Sequence, residues 1–349
     1  MRFEHEEVLL RRGPRSGLPI VVAVHSTALG QAVGGLRMWH YPDWRDAQSD
    51  ALRLARGMTY KCAVAGVDKG GGKTVVAVPP EVTPALRRAA LLDAGDAIDS
   101  LGGRYATGPD VGTGEPDMDV IAERTAHVFC RPASSGGSGD SSPHTAAGVV
   151  ASLRALTGGS LAGRRFAVVG LGRVGGAVAR ELAAAGAELV LSDVDEAKRT
   201  LAERLGEHAV WAEPDAALTA DVDVLVPAAL GGVLTADVVP RLRCGVIAGP
   251  ANNQLADESV ADLLHRRGIL WAPDYVVGSG GVVNAIAVEL DGADPARAAR
   301  LVEGIGATVA AIVADARSAG TTPARAARER AEARLRVASH RETVHSGRA

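Results

Sequence analysis

The chain is short of cysteine, of aromatic residues, of net charge and of long apolar runs. Its three cysteines, Cys62, Cys130 and Cys244, are scattered and form no CxxC pair. That spacing supports neither a zinc site nor a disulfide framework, so no metal is expected and a reducing cytoplasm is the natural setting. A formal net charge of −3 leaves no basic footprint for nucleic acid. No run of about 18 apolar residues is present, so no membrane span is expected. The opening Met-Arg-Phe-Glu-His-Glu-Glu is charged and lacks a signal-peptide core. Aromatic residues are scarce, while Ala, Gly and Arg are abundant.

What is there is a globular composition. Apolar residues make up 47 % and charged residues 23 % of 349 positions, enough chain for two domains with separate cores. The stretch Gly57–Thr74 holds Lys61 and Lys73, twelve residues apart, among apolar residues and glycines. Burial and a second ammonium both disfavour a charged lysine. One such lysine can take up a proton near neutral pH while the other grips an anion. Gly70, Gly71 and Gly72 are expected to let the backbone approach a ligand closely. Gly72-Lys73-Thr74 resembles the end of a phosphate-binding P-loop. That motif needs a glycine five positions before Gly72, where Val67 stands.

Residues 18–25 read as a buried strand. Gly30, Gly34 and Gly35 punctuate an expected loop ending in Leu-Arg-Met-Trp. A helix is expected over 46–58, and a strand from Lys73 to Val78. Another helix is expected over 84–101, with Thr83 as cap and Pro84 at its first position. A loop after a short strand then places Asp110 among small residues. Residues 134–142, rich in Ser and Gly, read as a linker that serves as a hinge or contacts a ligand. From Arg164 the pattern is sharper. A strand, Gly170-Leu-Gly172-Arg-Val-Gly175, a helix and a second strand ending at Asp193 make a Rossmann dinucleotide site. Asp193 would accept from a ribose 2′-hydroxyl and repel a 2′-phosphate, which favours NAD. Three further strands alternate with helices, as a doubly wound parallel sheet requires. Asn252 and Asn253 follow one strand end and suit either a helix cap or a ligand contact.

These motifs, in this order, resemble the leucine/phenylalanine/valine dehydrogenase branch of the glutamate dehydrogenase superfamily. The resemblance runs from about His25 to Arg336. It rests on Gly34-Gly-Leu-Arg-Met, Gly57-Met-Thr-Tyr-Lys61, Gly70-Gly-Gly-Lys73, Asp110-Val-Gly-Thr, the Rossmann segment, Ala251-Asn-Asn-Gln-Leu-Ala-Asp and Ala272-Pro-Asp-Tyr-Val. It implies an α/β fold of two domains with a cleft between them. The N-terminal α/β domain, residues 1–133, would bind substrate and mediate oligomerisation, completed by a C-terminal helix at about 323–349. The Rossmann domain, residues 134–322, would bind NAD. The implied activity is oxidative deamination of an L-amino acid by a homo-oligomer.

Carried over by motif, Lys73 and Asp110 would be catalytic, and Lys61 would bind the substrate carboxylate. Gly35, Met58, Pro109 and Asn253 would add substrate contacts. Val33, Gly108, Val282 and Ala285 would surround the substrate side chain. Gly170, Leu171, Gly172, Arg173, Val174, Gly175, Gly176 and Asp193 would hold the dinucleotide, with Ser141, Thr145, Ala228 and Asn252 near its nicotinamide end. Small residues at 108 and 285 imply a bulky, aromatic substrate; a branched-chain substrate is the alternative, and a catalytically idle NAD-binding sensor or scaffold a further one. Two departures stand out. Gly278-Ser279 replaces the family's usual Asn-Ala, and Pro250 replaces a usual Ala.

Overall fold

A computed structural model describes residues 4–346, with side chains described to residue 338. It divides into two compact units. The first comprises Met1–Asp140, Ala285–Gly292 and Arg330–Ala349; the second comprises Ser141–Asn284 and Ala293–Glu329. The sequence-based boundaries lay at 133/134 and near 323, and this division additionally returns a short segment at 285–292 to the first unit.

The first unit is built on a five-stranded mixed sheet. Its strands are β1 (Glu7–Arg12), β2 (Pro19–Ser26), β3 (Ala32–His40), β4 (Gly70–Val78) and β5 (Tyr105–Pro109), in the order β1-β2-β4-β3-β5. Helix α1 (Trp44–Val64) covers one face. Its Ala47, Ala51 and Ala55 meet Val21, Ala23, Val75 and Ala77. Alanine at these positions keeps the helix close to the sheet. Helices α2 (Pro84–Asp99) and α3 (Glu115–Ala122) lie on the other face, over Ile20, Val22, Leu36, Met38 and Val76. Thr83 caps α2 as expected, its hydroxyl accepting from Leu86 N at 3.2 Å.

Two expectations for this unit are corrected. The loop expected around Gly34 and Gly35 is the middle of β3, one of the sheet's interior strands. Glycine is a poor strand former, but a Cβ on Gly34 would lie 1.9 Å from Gly72 O, so close strand approach demands it. The glycines before Lys73 also lie within a strand and face protein. A Cβ on Gly70 would strike Ser26 O at 1.9 Å, one on Gly71 would strike Thr59 N at 2.0 Å, and one on Gly72 would lie 2.5 Å from the Tyr105 ring. They admit neighbouring chain rather than a ligand.

The second unit opens with α4 (Ser142–Leu156) and carries a six-stranded parallel sheet. Its strands are β6 (Arg165–Val169), β7 (Glu188–Ser192), β8 (Ala209–Trp211), β9 (Asp221–Pro227), β10 (Arg243–Ile247) and β11 (Leu270–Trp271). The order β11-β10-β9-β6-β7-β8 reverses direction between β6 and β9. That is the doubly wound arrangement, and ligands of such sheets bind beyond the carboxyl ends of the strands at this reversal. Helix α5 (Arg173–Ala184) follows β6. The long helix Pro295–Ala319 crosses α4 where Gly148 and Gly306 leave room for Ile305 and Ala151. No helix among the described residues is long and apolar enough to cross a membrane.

Candidate active site

Lys73 lies within β4, paired with Ala23 of β2. Strand alternation sends it to the face that α1 covers, together with Val75 and Ala77. Its side chain is 6 % exposed, and Nζ donates to Asp110 Oδ2 at 2.7 Å. Asp110 follows β5 immediately. Its backbone N–H donates to Thr113 Oγ1, and that hydroxyl donates to Leu36 O at 2.7 Å. The turn is thereby tied to β3. Gly35 makes the approach feasible, because a Cβ there would lie 2.7 Å from both Pro109 O and Asp110 Cβ. The structure therefore brings Lys73, Asp110, Gly35 and Pro109 together, from residues spread over 75 positions of sequence.

The electrostatics of the pair are unequal. Burial pulls the Lys73 ammonium below its ordinary range, and Asp110 only partly offsets this. Burial raises the Asp110 carboxyl, but Lys73 and Arg37 outweigh it and hold the group below its ordinary value. A lysine inclined to lose its proton thus sits on a carboxylate inclined to stay charged. Acid–base work near neutral pH needs that combination.

Lys61 lies half-buried in the last turn of α1. The helix extends beyond the expected 46–58, so both lysines stand on regular elements. Sequence reasoning missed what fixes this helix end. Arg334, on the C-terminal helix Pro323–Ser346, donates to the carbonyls of Ala63 at 2.9 Å, Val67 at 3.1 Å and Gly66 at 3.2 Å, and to Asp68 Oδ1 at 2.6 Å. One guanidinium gathers the carbonyls at and just beyond the end of the helix. Met58 is half-buried on the same helix, its Cγ 3.4 Å from where a Gly34 Cβ would stand.

Four residues were expected from sequence to surround the substrate side chain: Val33, Gly108, Val282 and Ala285. Space over Gly108 is not open. A Cβ there would lie 2.7 Å from the ring of Phe129, which is itself buried. Val33 and Ala285 are fully buried, and Val282 is half-buried. Phe129, a residue that carried no sequence signal, occupies the space beside Gly108.

In the second unit the glycine fingerprint has the geometry expected of it. Gly170 has φ +104°, and a Cβ there would lie 2.6 Å from Ala229 N. A Cβ on Gly175 would lie 2.0 Å from Gly170 O and 2.9 Å from Ala228 Cβ. Gly172 differs, because nothing lies within 4 Å of its Cβ position. It is the N-cap of α5 and supplies no side-chain cap. The first-turn N–H groups therefore meet an open space suited to an anion. Arg173, Val174 and Gly176 form that first turn. Asp193 Oδ2 accepts from Leu171 N at 2.6 Å, and its Oδ1 accepts from Asp195 N at 2.9 Å. The carboxylate thus holds the glycine loop and retains lone pairs for a ribose. Just before it, the Ser192 hydroxyl is buried without a partner. These features fit a dinucleotide.

Ser141 and Thr145 start α4 and pack on Gly281, whose Cβ would lie 2.8 Å from Ser141 Cβ and 2.7 Å from Thr145 Oγ1. Asn252 and Asn253 cap no helix, because the next one begins at Ser259. They form an exposed turn in which Asn253 has φ +53° and its carbonyl accepts from Gly232 N at 2.7 Å. Behind the turn, the buried Gln254 donates to Gly249 O at 2.8 Å and accepts from Trp271 Nε1 at 3.0 Å. The two departures noted in the sequence are neighbours. A Cβ on Gly278 would lie 3.3 Å from Pro250 O. Ser279 is buried, its hydroxyl donating to Val276 O at 2.7 Å. The segment 134–142, read as a linker, is anchored at Ser138, whose N–H and hydroxyl both donate to Glu289, with Cys130 N donating to the same carboxylate at 2.8 Å.

Residues 10–127 match the family described as Glu/Leu/Phe/Val dehydrogenase, dimerisation domain, and residues 190–291 match Glutamate/Leucine/Phenylalanine/Valine dehydrogenase. The chain belongs to this dehydrogenase family. It is accordingly an amino acid dehydrogenase, an oxidoreductase acting on CH–NH2 donors. It is 44 % identical to a valine dehydrogenase of Streptomyces coelicolor over 97 % of this chain and 94 % of that one. It is 40 % identical to a leucine dehydrogenase of Bacillus cereus over 96 % and 92 %. Among solved structures, an L-tryptophan dehydrogenase from Nostoc punctiforme superposes with a TM-score of 0.85 at 36 % identity, covering 97 % of both chains. Enzymes of this family generally use NAD or NADP, and the parallel sheet of the second unit is the Rossmann-like element that serves such a cofactor.

Proposed function

We propose that this dehydrogenase converts a hydrophobic L-amino acid to its 2-oxo acid and ammonia, reversibly, with NAD. The observation that carries the reading is the Lys73–Asp110 pair, a buried lysine drawn toward neutrality on a half-buried carboxylate held charged. An idle binding protein is the weaker reading, since perturbed ionisable groups of this kind cluster at functional sites. Lys61 would hold the substrate carboxylate. Asp110 would take a proton from the amino group, and Lys73 would activate the water that displaces ammonia. NAD, held by residues 170–176 and Asp193, supplies the hydride acceptor. The charge of Asp193 favours NAD over NADP by repelling a 2′-phosphate.

The first unit would bind substrate and assemble into a homo-oligomer, and the second would bind the cofactor. Trp39, Val111 and Leu10 support assembly, being large apolar side chains at least 44 % exposed within the span matched to a dimerisation domain. For the substrate, a branched aliphatic side chain is favoured, because the Phe129 ring refills the space over Gly108. An aromatic substrate is the second reading, supported by the likeness to a tryptophan dehydrogenase. A screen of L-Val, L-Leu, L-Ile, L-Phe and L-Trp, following NADH absorbance, tests both. Turnover of an apolar amino acid with kcat/KM highest for Val, Leu or Ile is expected. Highest kcat/KM for Phe or Trp would reverse the order of the two readings, and no turnover of any would remove the proposal.

A further inference from the structure

We propose that Arg37 is a positioning residue for this reaction, clamping Asp110 for Lys73 and linking the pair to Asp50. The inference rests on the reading of Lys73 as the base.

Arg37 lies on β3, the strand that separates β4 from β5, and pairs with Val75. It is 18 % exposed on its side chain, so its charge must be partnered. Its Nε donates to Asp110 Oδ2 at 2.9 Å, the same oxygen that Lys73 uses at 2.7 Å. Two cations on one oxygen fix the carboxylate plane and leave Oδ1 without a donor from the described residues. Oδ1 is therefore the oxygen free to exchange a proton with a substrate amine. On its far side, Arg37 NH1 donates to Asp50 Oδ2 at 2.8 Å. Asp50, on α1, also accepts from Tyr41 OH at 2.7 Å and from Arg53 at 2.6 Å. The result is a continuous line from Lys73 through Asp110 and Arg37 to Asp50.

Burial lowers the proton affinity of Lys73 most, and the line adds a balance of named charges to it. Arg37 on β3 opposes protonation, while Asp110 beyond β5 and Asp50 on α1 favour it. Arg53 and Lys61 are further cations on α1. His25 on β2 is held neutral, its affinity for a proton lowered to about 4. An open cavity of about 580 Å³ borders Arg37 and Asp50, lined also by Trp39, Tyr41, Ser49 and Val111. Water entering there can solvate Asp50 once its partner is shortened, so Arg37→Gln should fold.

The test is the pH profile of kcat/KM for the wild type, Arg37→Gln, Arg37→Lys and Asp50→Asn, with Lys73→Ala as reference. Loss of the Arg37 charge lets Lys73 keep its proton to higher pH. The low-pH limb should then move up by about one pH unit in Arg37→Gln. Arg37→Lys should bring it back toward the wild-type position. Asp50→Asn removes an anion and should move the limb the other way, to lower pH. Substrate ionisation is common to all variants and cancels. Damage that is merely structural would lower rates without displacing the limb in opposite directions. A limb that stays in place in Arg37→Gln, or moves the same way in both variants, overturns the inference. If Arg37→Gln does not fold, Asp50→Asn decides: a downward shift supports the inference, and no shift or an upward one overturns it. An active Lys73→Ala would overturn the reading of Lys73 and this inference together. An inactive Lys73→Ala with unmoved limbs overturns the inference alone.

Discussion

Gly71 and Thr59 are in contact through their backbones: a Cβ on Gly71 would lie 2.0 Å from Thr59 N and 2.3 Å from its hydroxyl. Thr59 is two residues before Lys61, and Gly71 is two residues before Lys73. The missing side chain thus seats the end of α1 on β4 and fixes where the two lysines stand. Gly71→Ala should force helix and strand apart. We expect a loss of about 1–3 kcal/mol in stability, measured by denaturant unfolding, together with a raised KM. Wild-type stability and KM would show that the contact relaxes without consequence.

Lys61 would bind the substrate carboxylate in the ground state and the transition state alike. Lys61→Ala should therefore raise KM strongly and change kcat less. An amine lacking the carboxylate, if turned over at all, should lose little on the same substitution. Equal losses for amino acid and amine would argue against a carboxylate contact.

Asp193 serves two partners, the glycine loop through Leu171 N and, on our reading, the ribose. Asp193→Ala should weaken NAD and narrow the preference over NADP. Asp193→Asn, which keeps an acceptor for Leu171 N, should preserve the loop and still admit NADP better than the wild type. Cofactor titration by fluorescence measures both. An NAD/NADP ratio unchanged in both variants would place the selectivity elsewhere.

His25 is half-buried against Thr59 Oγ1 at 2.9 Å. Burial first, then His5 and Arg56, lower its affinity for a proton from an ordinary 6.5 to about 4. Between these values the unfolded chain binds more protons than the folded one, so stability rises with pH across the window. The contribution is complete above about pH 6.5 and is lost as pH falls toward 4. The stability difference between the wild type and His25→Gln should shrink over that fall. A difference independent of pH would mean that His25 titrates normally.

How far the sequence reveals this enzyme depends on what each residue's reason is. The Rossmann segment was legible as a pattern, because its glycines sit in one short turn between a strand and a helix: Gly170 has a positive φ, and α5 starts three residues later. Lys73 and Lys61 stood out in the sequence as lysines in an apolar setting, whereas the pairing of Lys73 with Asp110 needed the fold. The reasons for Gly70–Gly72, Gly34 and Gly108 were not legible, since each glycine answers to a distant neighbour: Ser26, Thr59, Tyr105, Gly72 or Phe129. Local pattern cannot report such pairs. Arg37 and Arg334 were hidden for the same reason. Each is one arginine among many until the fold brings its acceptors to it.

The role of Lys73 is the central claim, and one variant tests it. Lys73→Ala should lose several orders of magnitude in kcat for the preferred amino acid, with kcat/KM falling equally, because the group acts in the transition state. NAD binding by the same variant, measured by fluorescence, should stay near that of the wild type. Retention of a tenth of the wild-type kcat would contradict the account.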